Sequence, residues 1–368
     1  MRLPRKVNLI ATDTRAGMEH GQPLTTEAVM NTRRVIPILM FAWAGCASFR
    51  SDAGFEHVQS MVADRVQKDV TMGVTADERQ SVEERIQSLL SRVLSVEDIV
   101  QLVLLNNLEL QATYQELGMA EADVVQASLV SNPTLGIERR FSGRAAEADV
   151  AQNFLDVLLV PLRQRVASAA FESAKLKVAD EVVKHAFEAR LAYYDLEAAM
   201  QTVEIRKLAS DAARAASYSA QSLREAGNAR EIDVKREEVT AAEAKLELAT
   251  AEGEVVQRRE DLNRLMGLWG LNTGWTTGGR LPEPPQDDAI PEELEPVAIK
   301  NRLDLEAARR ELEGLAESVG IAQITAIVPD LTLTGHYERE PEGGRTAGPS
   351  VMLPLPIFNW GRAAAGGG

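Results

Sequence analysis

The longest uninterrupted helical pattern in this 368-residue chain constrains its fold more than any other feature. From about Arg163 to Glu225, no proline or glycine interrupts the sequence. Roughly 60 residues at 1.5 Å each would form a rod about 90 Å long, well beyond the helices of ordinary globular domains. Apolar residues recur along it at separations typical of a coiled-coil seam. They are Leu176, Val183, Phe187, Leu191, Tyr194, Ala198, Ile205, Leu208 and Ala212.

The segment EAGNAREID, residues 225–233, is predicted to end this helix in a tight turn. Gly227 suits the C′ position because glycine tolerates a left-handed backbone, and the acids after it suit the first turn of another helix. A second helix is predicted from about Ile232 to Met266, so the pair would form an antiparallel hairpin. The turn is our candidate contact for a partner protein, through Gly227, Asn228, Ala229, Arg230 and Glu231.

Composition argues against several classes of function. The net charge of −15 disfavours a nucleic-acid partner, because binding phosphates needs a basic surface. The single cysteine excludes an internal disulfide, and the scattered histidines show no spacing typical of a metal site. Sequence motifs of nucleotide-binding, zinc-protease and serine-hydrolase sites are missing. We therefore expect a protein that is not an enzyme and that has no cofactor and no metal site.

Residues 30–48, MNTRRVIPILMFAWAGCAS, have the layout of an export signal. Two arginines precede an apolar stretch that is too short to span a bilayer as a helix. Small residues stand directly before Cys46, which resembles the lipobox of bacterial lipoproteins. We predict that Cys46 is lipidated, the alternative being a plain secretory signal with an incidental cysteine. Translation would start at Met1 or at Met30.

The sequence contains an internal repeat, with one copy in the first half of the exported chain and the other near its end. NLELQA at residues 107–112 returns as RLDLEA at 302–307, and a helical pattern follows each copy. Both helical patterns end at a proline, Pro133 or Pro329, and a strand-like pattern follows. Pro161 in VPLRQR likewise corresponds to a proline in LPIFNWGR. Repetition of this length indicates a duplicated structural unit.

Each copy of the repeat is predicted to supply two strands. The four candidates lie near residues 133–141, 153–161, 330–339 and 349–358. The residues that mark these strands are Pro133, Pro329, Pro356, Phe358 and Gly361. The predicted fold class is therefore mainly α with a small β part: a long antiparallel coiled-coil hairpin together with a few strands.

Four segments carry a resemblance to a known family: LLNNLELQA, LVSNPTLGIE, AGNAREIDVKREEV and GPSVMLPLPIFNWGR. Over about residues 95–362, the chain resembles the TolC-like outer-membrane efflux proteins, whose members include lipoproteins. The resemblance implies a homotrimer in which each protomer gives four strands to a shared β-barrel. It also implies a helical tube in the periplasm of a Gram-negative bacterium, whose tip meets a periplasmic adaptor (a membrane fusion protein) and an inner-membrane pump. The implied function is a passive duct of a tripartite efflux or type I secretion system.

An alternative is a periplasmic coiled-coil adaptor, or a structural lipoprotein without channel activity. The duplicated strand pair favours the channel. The second copy ends in GRAAAGGG without a hairpin pattern, so we expect this chain alone to form no conducting trimer. The expected organisation is an upstream segment with signal peptide (1–45), an N-terminal periplasmic segment (46–95), a first repeat (96–266), a linker (267–296) and an incomplete second repeat (297–368).

Overall fold

A computed structural model describes residues 52–73, 75–139, 145–283, 293–340 and 342–355. All of them belong to the larger of two compact units, Ser48–Gly368. The smaller unit, Met1–Ala47, lies outside the described residues.

Long helices and one small sheet make up the described chain, which confirms the predicted fold class. The helices are α1 (Phe55–Val66), α2 (Ala76–Leu90), α3 (Val96–Asn106), α4 (Leu108–Ser128), α5 (Phe154–Glu225), α6 (Glu231–Leu265), α7 (Leu294–Asn301) and α8 (Leu303–Ile327), with a 3-10 turn at Gly270–Thr273. The strands are β1 (Thr134–Arg139), β2 (Ala146–Asn153), β3 (Thr332–Arg339) and β4 (Arg345–Met352).

The four strands form one antiparallel sheet in the order β1-β2-β3-β4. The central pairing joins β2 of the first repeat copy to β3 of the second copy. Asp149 of β2 lies opposite Gly136 on one side and His336 on the other. The two copies of the repeat therefore meet in the sheet.

Helix α5, at 72 residues, is the longest element of the described chain. It packs along α1, α3, α4, α6 and α8. The hydrophobic core lies around α3, whose residues 99–105 are all buried. The rings of Phe55 and Tyr114 pack edge to face there, with centroids 5.0 Å apart. Among the described residues, no helix combines the length and the apolar run that crossing a bilayer requires.

The helix predicted from residue 96 breaks at Asn107, between α3 and α4. The side-chain oxygen of Asn107 accepts a hydrogen bond from the Leu110 amide, at 2.9 Å, and so caps α4. Its side-chain amide donates to the Leu265 carbonyl oxygen at 2.8 Å. The side-chain amide of Asn106 donates to the Met266 carbonyl oxygen, also at 2.8 Å. The two asparagines thus supply donors to carbonyls at the C-terminal end of α6. The second copy breaks at the corresponding Arg302, between α7 and α8.

The strand predicted at residues 153–161 is wrong, because α5 begins at Phe154 and continues through Pro161. Asn153 caps this helix by accepting from the Asp156 amide, at 3.0 Å, and Leu155 and Leu159 are both buried on one helical face. A short apolar run fits a buried strand or a buried helix equally well. The true second strand is β2, residues 146–153.

The other strand predictions agree more closely with the structure. β1 and β3 lie within the predicted ranges, whereas β4 begins at Arg345, before its predicted range of 349–358, and ends at Met352, within that range. Residues from 356 onward, including Pro356, Phe358 and Gly361, lie outside the described residues.

The predicted seam of α5 does not match its buried face. Phe187 and Leu208 are 65% and 72% exposed, while Val182 and Ala186 are buried. Helix α5 contacts several helices around its circumference, so its buried face does not follow a single heptad stripe. The predicted linker also holds structure, because Trp275 is buried. Its indole N–H donates to the Asn263 side chain at 2.8 Å.

Candidate functional sites: the hairpin tip and the two-faced sheet

The hairpin turn has the conformation that its glycine predicts. Gly227 has φ 80°, in the left-handed region. Its amide donates to the Arg224 carbonyl oxygen and the Asn228 amide to that of Leu223, both at 2.8 Å. This bond pair is a Schellman motif, which satisfies carbonyls at the end of α5. The prediction that Gly227 occupies the C′ position is confirmed.

Charged side chains at the turn form local pairs. Arg224 at the end of α5 pairs with Glu231 at the start of α6, with 3.1 Å between Nη2 and Oε2. Arg230 donates through Nε and Nη2 to both carboxylate oxygens of Asp233, at 2.9 and 3.0 Å. The hydrogen bond from Arg230 lowers the pKa of the Asp233 carboxyl. The turn therefore presents an exposed set of mutually oriented charges.

Apolar residues surround this charged turn. Val234 in the first turn of α6 is buried. From Met200 onward, α5 has no buried residue. Large apolar side chains are exposed along both arms toward the turn, namely Ile205, Leu208, Tyr218, Leu223, Ile232, Val239 and Leu246. These side chains give the outer part of the hairpin an apolar surface.

The sheet has two chemically different faces, because successive side chains of a strand point to opposite sides. One face is mostly apolar, and beside Gln152 it carries Leu135, Ile137, Ala148, Val150, Leu333, Tyr337, Ala347 and Val351. The other is mostly polar, and beside Ala151 and Met352 it carries Thr134, Glu138, Glu147, Asp149, Thr334, His336, Glu338, Thr346 and Ser350. Arg139, Arg339 and Arg345 share one register row on the apolar face. This row lies at the end of the sheet where β1 leads to β2 and β3 leads to β4.

The junction between sheet and helices contains two of the predicted prolines. Pro133 lies directly before β1, and Pro329 lies between the end of α8 and β3. Asp156, which the sequence did not single out, accepts a hydrogen bond from the Ser131 amide at 2.9 Å and pairs with Arg163 at 2.6 Å. These contacts hold the start of α5 against the segment that enters β1. Cys46, the predicted lipidation site, lies outside the described residues.

No family model matches the chain. The cobalt-zinc-cadmium resistance protein CzcC of Cupriavidus metallidurans is 26% identical over 272 residues, which cover 72% of this chain and 64% of that protein. The chain therefore spans slightly less than two thirds of this curated relative's length.

Solved structures of outer-membrane channels share the fold. A structure of CusC, described in terms of transmembrane channel formation, superposes with a TM-score of 0.58 and 13% identity, covering 77% of this chain and 68% of that one. The CmeC outer membrane channel of Campylobacter jejuni gives a TM-score of 0.53 and 16% identity, covering 84% and 70%. The resemblance inferred from the four sequence segments is thereby confirmed.

Proposed function

We propose that this chain, a homologue of the TolC-like outer membrane factors, is the outer-membrane channel component of a tripartite efflux or type I secretion system. The assembled channel would be a homotrimer and a passive duct across the periplasm and outer membrane. The family consists of trimeric outer-membrane channels of tripartite efflux systems. The trimer of this chain, its adaptor, its pump and its contact with lipid are our proposals.

The two-faced sheet at the base of a long hairpin is the observation that carries this proposal. In lipid, strands must close into a barrel because every backbone polar group needs a partner. A barrel strand alternates between a lipid-facing apolar side chain and a lumen-facing polar one. The sheet has this alternation, and arginines end its apolar band where long cationic side chains can reach lipid headgroups.

A periplasmic adaptor or a purely structural lipoprotein is less consistent with this arrangement. Either would need the sheet to lie in water, and the apolar side chains of Leu135, Ile137 and Val351 would then stay in contact with solvent. Each of these side chains is more than 60% exposed in the single chain. A lipid environment accounts for this exposure.

The outer end of the hairpin is our proposed docking site for the periplasmic adaptor. Its turn, Gly227 to Glu231, combines paired exposed charges with nearby exposed apolar side chains. Such a mixture suits a protein partner, in which apolar contacts give affinity and charges give register. Lipidation at Cys46 would anchor the chain to the outer membrane. CzcC is named for cobalt, zinc and cadmium resistance, so these cations are the first cargo to test.

Labelling of the two sheet faces tests the membrane proposal. Ser350 and Val351 are adjacent in β4, exposed, and on the polar and apolar faces respectively. Each would be changed to cysteine and treated with a membrane-impermeant maleimide in outer-membrane fragments, with the parent chain as the blank for any reaction at Cys46. We expect Ser350→Cys to react, and Val351→Cys to react only after detergent is added. Equal reaction at both positions without detergent, with the chain in the soluble periplasmic fraction, would overturn the proposal.

Export assays test the docking site. In an export-competent homologous channel that carries this turn, Gly227→Val or Arg230→Glu should reduce export without lowering the amount of protein in the membrane. Arg264→Glu is the matched control, since Arg264 is a similarly exposed arginine that pairs with a nearby aspartate at the opposite end of α6. Unchanged export in both turn variants would make the turn a simple connector. Mass spectrometry of the mature N-terminus tests lipidation at Cys46.

A further inference from the structure

We propose that the polar face of the sheet binds a divalent transition-metal ion through His336, Asp149 and Glu147. The sequence predicted no metal site, because its histidines and its cysteine show no spacing typical of one. His336 is 187 residues from Asp149. Only the pairing of β2 with β3 brings them together.

Strand register places the three side chains on one face. Asp149 is directly opposite His336, and Glu147 is directly opposite Glu338. Residues two apart on a strand share a face, so all four side chains point to the same side of the sheet. The site therefore follows from the backbone pairing of two neighbouring strands.

Distances between the ligand atoms are short enough for one ion. One ligand atom each from Glu147, Asp149 and His336 can be chosen so that all lie within 4.8 Å of one another. The His336 Nδ1 atom lies 2.6 Å from Asp149 Oδ1 and 3.6 Å from Glu147 Oε1. Ligands of a tetrahedral zinc ion stand about 3.3 Å apart, from bond lengths near 2 Å. Opening the Asp149–His336 contact by less than 1 Å would therefore admit the ion.

The sheet leaves room for an ion and its waters beside these ligands. The register row reads Gly136, Asp149, His336, Gly348. A Cβ added at Gly348 would meet no atom within 4 Å, and one at Gly136 would meet only Asp149 atoms, at 3.7 and 3.8 Å. No side chain in this row therefore covers the pair from either side.

The donor set selects a class of ion. One imidazole nitrogen with two carboxylate oxygens suits zinc, cobalt, nickel or copper, whereas calcium and magnesium prefer oxygen alone. The second ring nitrogen of His336, Nε2, lies 3.7 Å from Glu338 Oε2. A carboxylate near the non-ligating nitrogen typically orients a metal-bound histidine. Water would complete the coordination.

Location in the lumen rests on the proposed function, whereas metal binding does not. If the polar face lines the duct, three copies of the site would surround the path of a cation. Binding itself can be measured on the purified full chain whether or not the chain conducts, so failure of one proposal leaves the other testable.

Calorimetric titration of the full chain in detergent with zinc chloride tests the site. We expect saturable binding of one ion per chain. His336→Asn and Asp149→Asn should each weaken it at least tenfold. The matched controls are His57→Asn and Glu84→Gln, which change exposed residues of α1 and α2. They should leave binding unchanged. Circular dichroism would confirm that each variant is folded.

Copper titration followed by electron paramagnetic resonance gives an independent readout. The spectrum should carry the nitrogen coupling of one imidazole, and this coupling should disappear in His336→Asn but persist in His57→Asn. Absence of saturable zinc binding to the parent chain, or equal binding by His336→Asn, would overturn the proposal. The histidine and carboxylates would then form a hydrogen-bonded cluster only.

Discussion

The two halves of α5 differ in what surrounds them. In the base half, Phe154–Ala199, fourteen residues are buried against the shorter helices. In the tip half, Met200–Glu225, none is buried, and Ile205, Leu208 and Tyr218 are each more than 60% exposed. The same continuous helix therefore passes from a hydrophobic core to a stretch without a buried residue.

This difference shows where the single chain is self-sufficient. The base half meets the requirement that a helix bury an apolar face within its own domain. The tip half keeps its apolar side chains in contact with solvent, which a stable soluble monomer rarely does over a long stretch. We therefore expect substitutions in the base half to change folding stability, and substitutions in the tip half to change mainly assembly.

Leucine-to-alanine substitution should give the largest contrast. Leu196 is 1% exposed in the base half, so Leu196→Ala should lower the free energy of unfolding by about 2–5 kcal/mol through lost burial and a cavity. Leu208 is 72% exposed, so Leu208→Ala should change it by less than about 0.5 kcal/mol. Urea unfolding followed by circular dichroism would measure both. Equal losses would show that the tip half is packed in the free chain.

Two glycines at helix ends sharpen the contrast. Gly227 and Gly267 both have positive φ. An added methyl at Gly267 would overlap the Asn106 carbonyl oxygen, whereas at Gly227 it would meet nothing within 4 Å. Gly267→Ala should therefore cost about 2–4 kcal/mol, from backbone strain plus overlap, and Gly227→Ala about 1 kcal/mol from strain alone. Thermal unfolding of the two variants would test this order, and a larger cost at Gly227 would contradict it.

At high pH, a tyrosine buried in the hydrophobic core should affect stability differently from a tyrosine exposed on the tip half of α5. Tyr114 is fully buried, and its hydroxyl has no hydrogen-bond partner among the described residues. Burial raises the pKa of Tyr114. The contribution of Tyr114 to the free energy of unfolding is therefore complete below about pH 10, near the pKa of tyrosine in the unfolded chain. This contribution is lost as the pH rises above that value.

Tyr114→Phe should leave stability at pH 7 equal or up to about 1 kcal/mol higher, because an unsatisfied buried hydroxyl is removed. It should also make the loss of stability above about pH 10 shallower. Tyr218→Phe, at a side chain 74% exposed, should change neither quantity. Stability against pH for both variants is the measurement. An unchanged slope in Tyr114→Phe would refute the assignment.

The smallest expected effect concerns a surface ion network beside the base half of α5. Glu97 Oε2 pairs with Lys68 at 2.9 Å, and Oε1 with Arg190 of α5 at 3.5 Å. The hydrogen bond from Lys68 lowers the pKa of Glu97, with a smaller contribution from the charge of Arg190. This stabilisation is present above about pH 4.3 and is lost as pH falls through the lowered folded value.

Because the Glu97 side chain is 48% exposed, Glu97→Gln should cost less than about 1 kcal/mol at pH 7. The difference from the parent chain should vanish at acidic pH. Asp233→Asn, at the exposed turn, should not alter global unfolding measurably. Urea midpoints across pH 3 to 7 would decide it, and a difference that grows on acidification would count against the network.

Local signals account for what the sequence predicted well. The ends of the hairpin depend on caps within a few residues, so Gly227 and the acids after it were sufficient. Pro133 and Pro329 likewise restrict the backbone directly before each strand pair. The duplicated helix break at Asn107 and Arg302 was visible as a repeat, although the break itself was not predicted.

Non-local pairing accounts for what was missed. β2 carries alternating acids and small residues, and only its register with β3 explains why Asp149 stands opposite His336. The hydrogen bonds from Asn106 and Asn107 to the end of α6 join residues about 160 positions apart. The side of α5 that is buried also depends on neighbours distant in sequence. Spacing along one chain contains no information on such contacts.

Pro161 gives α5 a mechanical property. It lacks an amide hydrogen, so the carbonyl one turn earlier loses its helical hydrogen bond close to the sheet. The uninterrupted helix then continues to Glu225, about 96 Å farther at the standard rise per residue. A bend of one degree at Pro161 would displace the far end by about 1.7 Å. The molecule therefore has a lever arm in which a small angular change beside the sheet becomes a displacement of atomic size at the tip.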